Sequence, residues 1–199
     1  RGDRGEANIK IMKKFIATVK YAAVMLAAPK GIDSRPPEAL IQKSTTSFYE
    51  LKMKANNGEE IDFSTYKGKK VLLVNVASKC GYTPQYKELE KLHQKYKDKL
   101  VILGFPADNF GHQEPGNDEQ IAEFCEINFG VTFQLFQKSS VRGKDQNLVF
   151  YWLSHKEQNG WNDKAPSWNF CKYLVNEKGE LIEFYSSSIS PLSEDITKH

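Results

Sequence analysis

The clearest pattern in the chain is a run of apolar residues without polar alternation. Residues 71–77 read Val-Leu-Leu-Val-Asn-Val-Ala and are almost continuously apolar and rich in β-branched side chains. Such a segment is typical of a strand that is buried on both faces, as in the middle of a parallel sheet. The pattern therefore predicts a central strand.

The segments around this strand predict a mixed α/β fold. Loose alternation from Phe48 and the turn sequence Asn56-Asn57-Gly58 predict an opening β-hairpin. Thr83 and Pro84 are typical of an N-cap and a first helical residue, and an apolar strand follows at residues 100–105. Further segments predict a helix at 117–128, a strand at 131–136, a helix at 147–155, strands at 170–175 and 181–185, and a last helix from Pro191. This order predicts a thioredoxin fold, an α/β fold with a central mixed β-sheet flanked by helices and an N-terminal β-hairpin.

Charge is distributed unevenly between the front end and the rest of the chain. The first 35 residues contain eight Lys and Arg against three Asp and Glu. The remainder contains 20 Lys and Arg against 22 Asp and Glu. Nucleic-acid binding relies on clustered cations, which this weakly acidic remainder lacks. We therefore predict no nucleic-acid partner.

The front end predicts a division of the chain into four parts. Residues 1–11 precede a plausible initiator methionine, and residues 12–28 resemble a signal peptide or anchor because a Met-Lys-Lys start precedes apolar and small residues. The apolar run is too short to span a bilayer. Residues 29–46 are expected to be a linker, and residues 47–199 a single globular domain. A functional leader would place the protein in the periplasm or another extracytoplasmic compartment, and otherwise it would be cytoplasmic.

The three cysteines exclude a disulfide-stapled scaffold. Cys80, Cys125 and Cys171 are widely spaced, and none forms a CxxC pair. The four histidines lie at no spacing that joins a cysteine into a zinc-ligand set. We expect no metal site, and the cysteines are left as core thiols or redox residues.

Cys80 is the candidate nucleophile. It lies after the predicted central strand and before the predicted helix, at the edge of the sheet where open α/β folds bind ligands. The N–H groups and partial positive charge of a helix N-terminus favour a thiolate, and Lys79 adds a neighbouring cation. The alternative is an inert small core residue, as many unpaired cysteines are.

Three segments resemble the signature motifs of the glutathione peroxidases, in the same order. They are Asn-Val-Ala-Ser-Lys-Cys-Gly at 75–81, Gly-Phe-Pro at 104–106 with Phe-Gly-His-Gln-Glu-Pro-Gly at 110–116, and Trp-Asn-Phe at 168–170. The resemblance covers residues 47–199 and implies reduction of hydrogen peroxide and organic hydroperoxides. It implies Cys80 as the peroxidatic residue, assisted by Gln113, Trp168 and Asn169, with no cofactor. Gln113 and Trp168 offer N–H donors that can stabilise a sulfur anion.

The same resemblance implies a second redox cysteine. In the cysteine-using members a resolving cysteine lies in the helix after the Phe-Gly-His-Gln-Glu-Pro-Gly loop, which matches Cys125. A disulfide between Cys80 and Cys125 would then be reduced by thioredoxin, in preference to glutathione. Helical spacing with Ile121 leaves a second interpretation, a cysteine that only packs in the core. Cys171 matches no known role and is expected to be a core residue of a strand.

Two departures from the family pattern affect these expectations. Ala107 and Asp108 stand where the family usually has Cys and Asn, and an acid at this place would disfavour a Cys80 thiolate. Residues 153–168 form a short segment without the long loop of tetrameric animal members, so we expect a monomer.

Three other functions use similar features. A thiol-disulfide oxidoreductase needs CxxC at the helix start, where residue 83 is Thr. A metal chaperone on this fold needs a second thiol or a histidine near Cys80, and neither is adjacent in sequence. A peroxide sensor that passes its oxidation to a partner protein uses the same cysteines, so it remains an alternative.

Overall fold

A computed structural model describes residues 3–27 and 30–199. The core of the fold is a six-stranded mixed sheet. In chain order its strands are β1 (Ile32–Ser34), β4 (Lys70–Val76), β5 (Leu100–Pro106), β6 (Gln134–Leu135), β7 (Lys172–Val175) and β8 (Leu181–Tyr185). A separate hairpin consists of β2 (Lys52–Lys54) and β3 (Glu60–Asp62). The helices are α1 (Asp3–Ala27), α2 (Gln85–Tyr96), α3 (Asp118–Phe129), α4 (Leu148–Leu153), α5 (Lys156–Asn159) and α6 (Glu194–Thr197), and short 3-10 turns cover Glu38–Leu40, Phe48–Glu50 and Phe63–Tyr66.

The strands run in the order β1-β8-β7-β4-β5-β6, with β4 near the centre. β4 pairs in parallel with β5 and antiparallel with β7, and β6 continues the parallel half. β8 and β1 complete the antiparallel half. The predicted central strand and thioredoxin fold are confirmed, and the predicted opening hairpin is β2 and β3.

Alternating side chains of β4 and β5 enter two cores, one on each face of the sheet. Leu73 and Phe105 belong to the core that α4 and the two later 3-10 turns cover. Val74 and Ile102 belong to the core that α2, α3 and α6 cover. Because both faces of these strands are buried, their sequences are continuously apolar instead of alternating.

The predicted linker contains an element of the sheet. β1 lies within residues 29–46 and pairs with β8 in antiparallel register, from Ile32 opposite Tyr185 to Ser34 opposite Glu183. The side chain of Ile32 is buried in the core beneath α2. The linker interpretation is therefore wrong for these three residues. Without β1, the edge of β8 would have unpaired backbone groups, and an extended segment can pair with such an edge.

The front end forms one long helix instead of two separate segments. α1 crosses the predicted boundary between residues 1–11 and 12–28, and Ile11, Met12 and Phe15 are exposed on it. Among the described residues, no helix is long and apolar enough to cross a membrane. The predicted leader end at Ala28 and the first predicted linker residue, Pro29, lie outside the described residues.

Several element boundaries differ from those predicted. The helix α2 begins at Gln85 instead of Pro84, and Pro84 occupies its N-cap position. The strand predicted at 131–136 is reduced to the two residues of β6, and the strand predicted from Phe170 begins at Lys172. The last helix begins at Glu194, three residues after Pro191. The predicted helices at 117–128 and 147–155 are α3 and α4, each capped by an Asn side chain at the predicted first residue.

A buried lysine in β7 predicts a pH-dependent stability. Lys172 is fully buried and donates hydrogen bonds to the carbonyls of Ser187 and Ile189. Burial lowers the pKa of Lys172 from 10.5 to about 7, although Cys171 and Glu88 oppose this shift. Between these two pKa values the unfolded chain binds more protons than the folded one, so this residue makes stability rise with pH, by up to about 1.4 kcal/mol per pH unit.

Lys172→Met should remove this contribution while filling the same space. Urea denaturation of wild type and variant at pH 7, 8 and 9 measures the difference in the free energy of unfolding at each pH. We expect the difference to change steadily in favour of wild type as the pH rises. A difference independent of pH would show that Lys172 keeps its proton in the folded protein.

Candidate active site

Cys80 lies in a tight turn between β4 and α2. Its backbone N–H donates to Thr83 Oγ1 at 2.9 Å, and Thr83 Oγ1 donates to the carbonyl of Ala77, also at 2.9 Å. Thr83 therefore clamps the turn closed instead of capping α2 as predicted. The hydroxyl is used by Cys80 because the chain makes a further turn through residues 81–84 before α2 begins.

The Cys80 thiol has a different environment from the other two cysteines. The Tyr82 N–H donates to Cys80 Sγ at 3.4 Å. Cys80 is 9% exposed, whereas Cys125 is 1% exposed and Cys171 is fully buried. A methyl group built on Gly81 would meet nothing within 4 Å, so the space beside the thiol is open on that side. All three cysteines are buried, and Cys80 is the most exposed of them.

Gln113 and Asn169 are in direct contact beside the Cys80 turn. Asn169 Nδ2 donates to Gln113 Oε1 at 2.9 Å, and the N–H of Lys79 donates to the Gln113 carbonyl at 3.0 Å. The structure thus brings together the three segments that carry the predicted site residues, although they are up to 93 positions apart along the chain.

The bond between Gln113 and Asn169 leaves some of their donor and acceptor atoms unpaired. Since Asn169 Nδ2 is used by Gln113 Oε1, the Gln113 amide retains its N–H donors. Asn169 Oδ1 is buried and has no hydrogen-bond partner among the described residues. Asn169 therefore keeps an unpaired acceptor in addition to its second N–H.

Trp168 borders the site from the surface. Its side chain is 39% exposed, and its ring lies 5.8 Å from that of Phe110, measured between centroids. The Arg142 guanidinium lies 5.5 Å from the centroid of the Phe110 ring. Trp168 is thus a partly exposed aromatic residue directly before Asn169, packed against Phe110.

The Asp108 carboxylate makes its hydrogen bonds within its own loop. Its carboxylate accepts a hydrogen bond from the N–H of Glu114 at 3.0 Å and lies 2.9 Å from His112 Nδ1. Burial alone would raise the pKa of Asp108, but the bonds from His112 and Glu114 outweigh it and hold the pKa below the ordinary value. These bonds shape the 108–114 loop that carries Gln113. The expectation that Asp108 disfavours the Cys80 thiolate stays a prediction.

A buried polar cluster lies between the Cys80 turn and α3. Ser78 Oγ donates to Glu114 Oε1, and the second carboxyl oxygen of Glu114 is buried without a hydrogen-bond partner among the described residues. Burial raises the pKa of Glu114 despite the Ser78 bond. Burial also raises the pKa of Cys125 to about 11, while the Tyr86 hydroxyl lowers it and Glu114 raises it. Cys125 is thus held as an unreactive thiol in this closed state.

Cys171 has the environment expected of a core residue. It is fully buried directly before β7 instead of within a strand as predicted, with Sγ 3.6 Å from Ser187 Oγ and 3.8 Å from Ser167 Oγ. Sequence reasoning missed two residues of the site region, Thr83 as a clamp and Asn75. Asn75 had a visible signal, because it is the single polar residue in the apolar run of residues 71–77.

Comparisons with known proteins agree with this geometry. The sequence profile described as glutathione peroxidase matches residues 48–154. The glutathione peroxidase-like peroxiredoxin 2 of Saccharomyces cerevisiae is 51% identical over 152 residues, which cover 76% of this chain and 94% of that protein. The glutathione peroxidase-like peroxiredoxin gpx1 of Schizosaccharomyces pombe is 52% identical over 153 residues, covering 75% and 96% of the two chains.

A similar solved structure is the crystal structure of Trgpx in its apo form. It superposes with a TM-score of 0.60 at 36% identity and covers 78% of this chain and 95% of that one. Residues 48–154, which match the family profile, include the Cys80 turn and the Gln113 loop. The chain therefore belongs to the glutathione peroxidase family and is a peroxidase.

Proposed function

We propose that this protein reduces hydrogen peroxide and organic hydroperoxides with Cys80 and is recycled by thioredoxin through a disulfide between Cys80 and Cys125. The observation that carries the proposal is the Gln113–Asn169 hydrogen bond of 2.9 Å, anchored to the Cys80 turn through Lys79. It supports a peroxide-binding function because it leaves one amide with donors and the other with an acceptor beside the Cys80 turn.

In the first step the Cys80 thiolate attacks one oxygen of the peroxide. An S–O bond forms as the O–O bond breaks, and the leaving oxygen takes a proton and departs as water or an alcohol. The peroxide is reduced by two electrons, and Cys80 becomes a sulfenic acid. The Gln113 and Trp168 N–H groups would stabilise negative charge on sulfur and on the leaving oxygen, while Asn169 Oδ1 would accept the O–H of the bound peroxide.

In the second step Cys125 attacks the Cys80 sulfenic acid, and water leaves as the disulfide forms. Cys125 is 1% exposed, and burial raises its pKa to about 11, so α3 must open before this thiol can ionise and reach Cys80. A dithiol reductant then takes over the disulfide and restores both thiols. The two yeast relatives are named peroxiredoxins, which supports a thiol reductant.

An NADPH-coupled assay with thioredoxin and thioredoxin reductase, run beside one with glutathione and glutathione reductase, tests the proposed reductant. We expect continuous peroxide-dependent NADPH oxidation with thioredoxin, at least about tenfold faster than with glutathione, because a disulfide is exchanged best by a dithiol. Faster turnover with glutathione would contradict the thioredoxin assignment. One equivalent of peroxide consumed without turnover in either arm would favour the sensor that relays its oxidation to a partner.

We extend the proposal to the oligomeric state of the protein and to its location in the cell. We propose a monomer, supported by the short connection between α5 and β7, which holds residues 160–171. We also propose export directed by residues 12–28. Light scattering of the purified protein and fractionation of expressing cells test these two statements.

A further inference from the structure

Asn75 lies where the pairing between β4 and β7 breaks down. The two strands pair regularly from Val71 opposite Val175 to Val74 opposite Lys172. Beyond Lys172 the regular pairing is lost. The Asn75 N–H still donates to the Cys171 carbonyl at 3.4 Å, but the Asn75 carbonyl accepts from Phe170 instead of Cys171, and Phe170 adopts a left-handed conformation with φ of 64°. Non-glycine residues rarely adopt this conformation unless the surroundings enforce it. The segment that departs is the one that carries Trp168 and Asn169.

Asn75 replaces the lost strand pairing with its own side chain. Its Nδ2 donates to the Trp168 carbonyl at 2.9 Å, and its Oδ1 accepts from the Cys171 N–H at 3.0 Å. Its backbone carbonyl also accepts from the Phe170 N–H at 2.6 Å. Asn75 is fully buried, so water cannot supply these contacts if the side chain is removed. One amide thus holds the segment on both sides of Asn169.

The chemistry of the side chain explains why an amide stands in an apolar strand. The two backbone groups to be satisfied are one acceptor and one donor, and a carboxamide presents one of each at the same reach. Asp lacks the donor, and the apolar side chains that surround Asn75 in residues 71–77 lack both. A polar residue at this position costs free energy in a core unless it is fully paired, as it is here.

We propose that Asn75 is a positioning residue for peroxide activation, acting through Trp168 and Asn169. It belongs to the strand that leads into the Cys80 turn, and it fixes the segment whose Asn169 binds Gln113 at 2.9 Å. One residue therefore sets the distance between the nucleophile and the groups that activate its substrate. This inference rests on the proposed function of Cys80.

The test compares Asn75→Ala with a matched substitution away from the site. Asn159 is also buried, and its Nδ2 also donates to backbone carbonyls, those of Trp152, His155 and Asn162. Reduced proteins are mixed with hydrogen peroxide, quenched at intervals, and analysed for the remaining Cys80 thiol by mass spectrometry. We expect Asn75→Ala to slow oxidation by about 100-fold, as small displacements in a site do. Asn159→Ala should react like wild type, even if both variants melt at lower temperature.

A double-mutant comparison separates positioning from a general loss of structure. In the Trp168→Phe/Asn169→Ala background the groups that Asn75 holds are already absent, so adding Asn75→Ala should slow oxidation by no more than about twofold. If Asn75→Ala does not fold, Asn75→Ser carries the same two expectations. The inference would be overturned if folded Asn75→Ala were oxidised at the wild-type rate. It would also be overturned if adding Asn75→Ala to the Trp168→Phe/Asn169→Ala background slowed oxidation by the full factor, or if Asn159→Ala slowed oxidation equally. A failure of the proposed function would be visible separately, as wild-type protein whose Cys80 is not oxidised.

Discussion

Cys80→Ser should reduce the thioredoxin-coupled turnover of hydrogen peroxide by at least about 1,000-fold, because a serine hydroxyl is almost entirely protonated at neutral pH and is a poor nucleophile towards an O–O bond. In this variant Gln113, Trp168 and Asn169 would have no thiolate beside them to stabilise. Cys125 and Cys171 are 1% and 0% exposed, so neither can take the place of Cys80. The measurement is the initial rate of NADPH oxidation at saturating thioredoxin.

Cys171→Ser is the matched control for this variant. It makes the same change of sulfur to oxygen in a buried residue, where two serine hydroxyls lie 3.6 and 3.8 Å from the sulfur. We expect full turnover in this variant. If Cys80→Ser retained activity, or if Cys171→Ser lost as much, the assignment of Cys80 as the peroxidatic residue would be wrong.

Cys125→Ser should separate the two halves of the catalytic cycle. The first oxidation of Cys80 should proceed at the wild-type rate, because Cys125 lies on α3 behind the Ser78–Glu114 hydrogen bond and is not part of the Gln113–Asn169 pair. Turnover with thioredoxin should fall by at least about 100-fold, because the sulfenic acid would have no intramolecular thiol to form the disulfide that thioredoxin reduces.

Two measurements follow these halves separately. Rapid mixing with one equivalent of peroxide gives the rate of Cys80 oxidation, and trapping with dimedone followed by mass spectrometry gives the chemical state of the product. The variant should accumulate a dimedone adduct at Cys80, whereas wild type should accumulate the Cys80–Cys125 disulfide. Undiminished thioredoxin-driven turnover in Cys125→Ser would show that the reductant attacks the Cys80 sulfenic acid directly.

The regular parts of the fold were predictable because their signals are local. β4 and β5 are seven residues each, long enough for continuous apolar character to indicate burial on both faces. The caps of α3 and α4 were predictable for the same reason, since Asn117 and Asn147 accept hydrogen bonds from residues only three positions away. β1 was not predictable, because three residues carry no period, and its pairing depends on the edge that β8 leaves open.

The ends of the elements next to the site were predicted less well. Thr83 and Pro84 have the residue types of a helix start, yet the Thr83 hydroxyl bonds to the Cys80 N–H. Phe170 has high strand propensity, yet it adopts a left-handed conformation while its ring packs edge-on against Tyr86 at 5.4 Å. Thr83 is held by hydrogen bonds with Cys80 and Ala77, within the turn itself. Phe170 is held by a tertiary contact, and in both cases the contact is stronger than the local propensity that it overrides.

By itself the sequence determined the fold class, the family and the identities of the candidate residues Cys80, Gln113, Trp168 and Asn169, because these depend on local pattern and on motifs in a fixed order. The tertiary structure alone decided how these residues meet: which Asn169 atom stays free, how deeply Cys125 is buried, and which buried amide holds the 168–171 segment. These properties depend on contacts between segments up to 96 positions apart. Hydrogen bonds across such distances leave no periodic trace in the chain, so only the folded protein shows them.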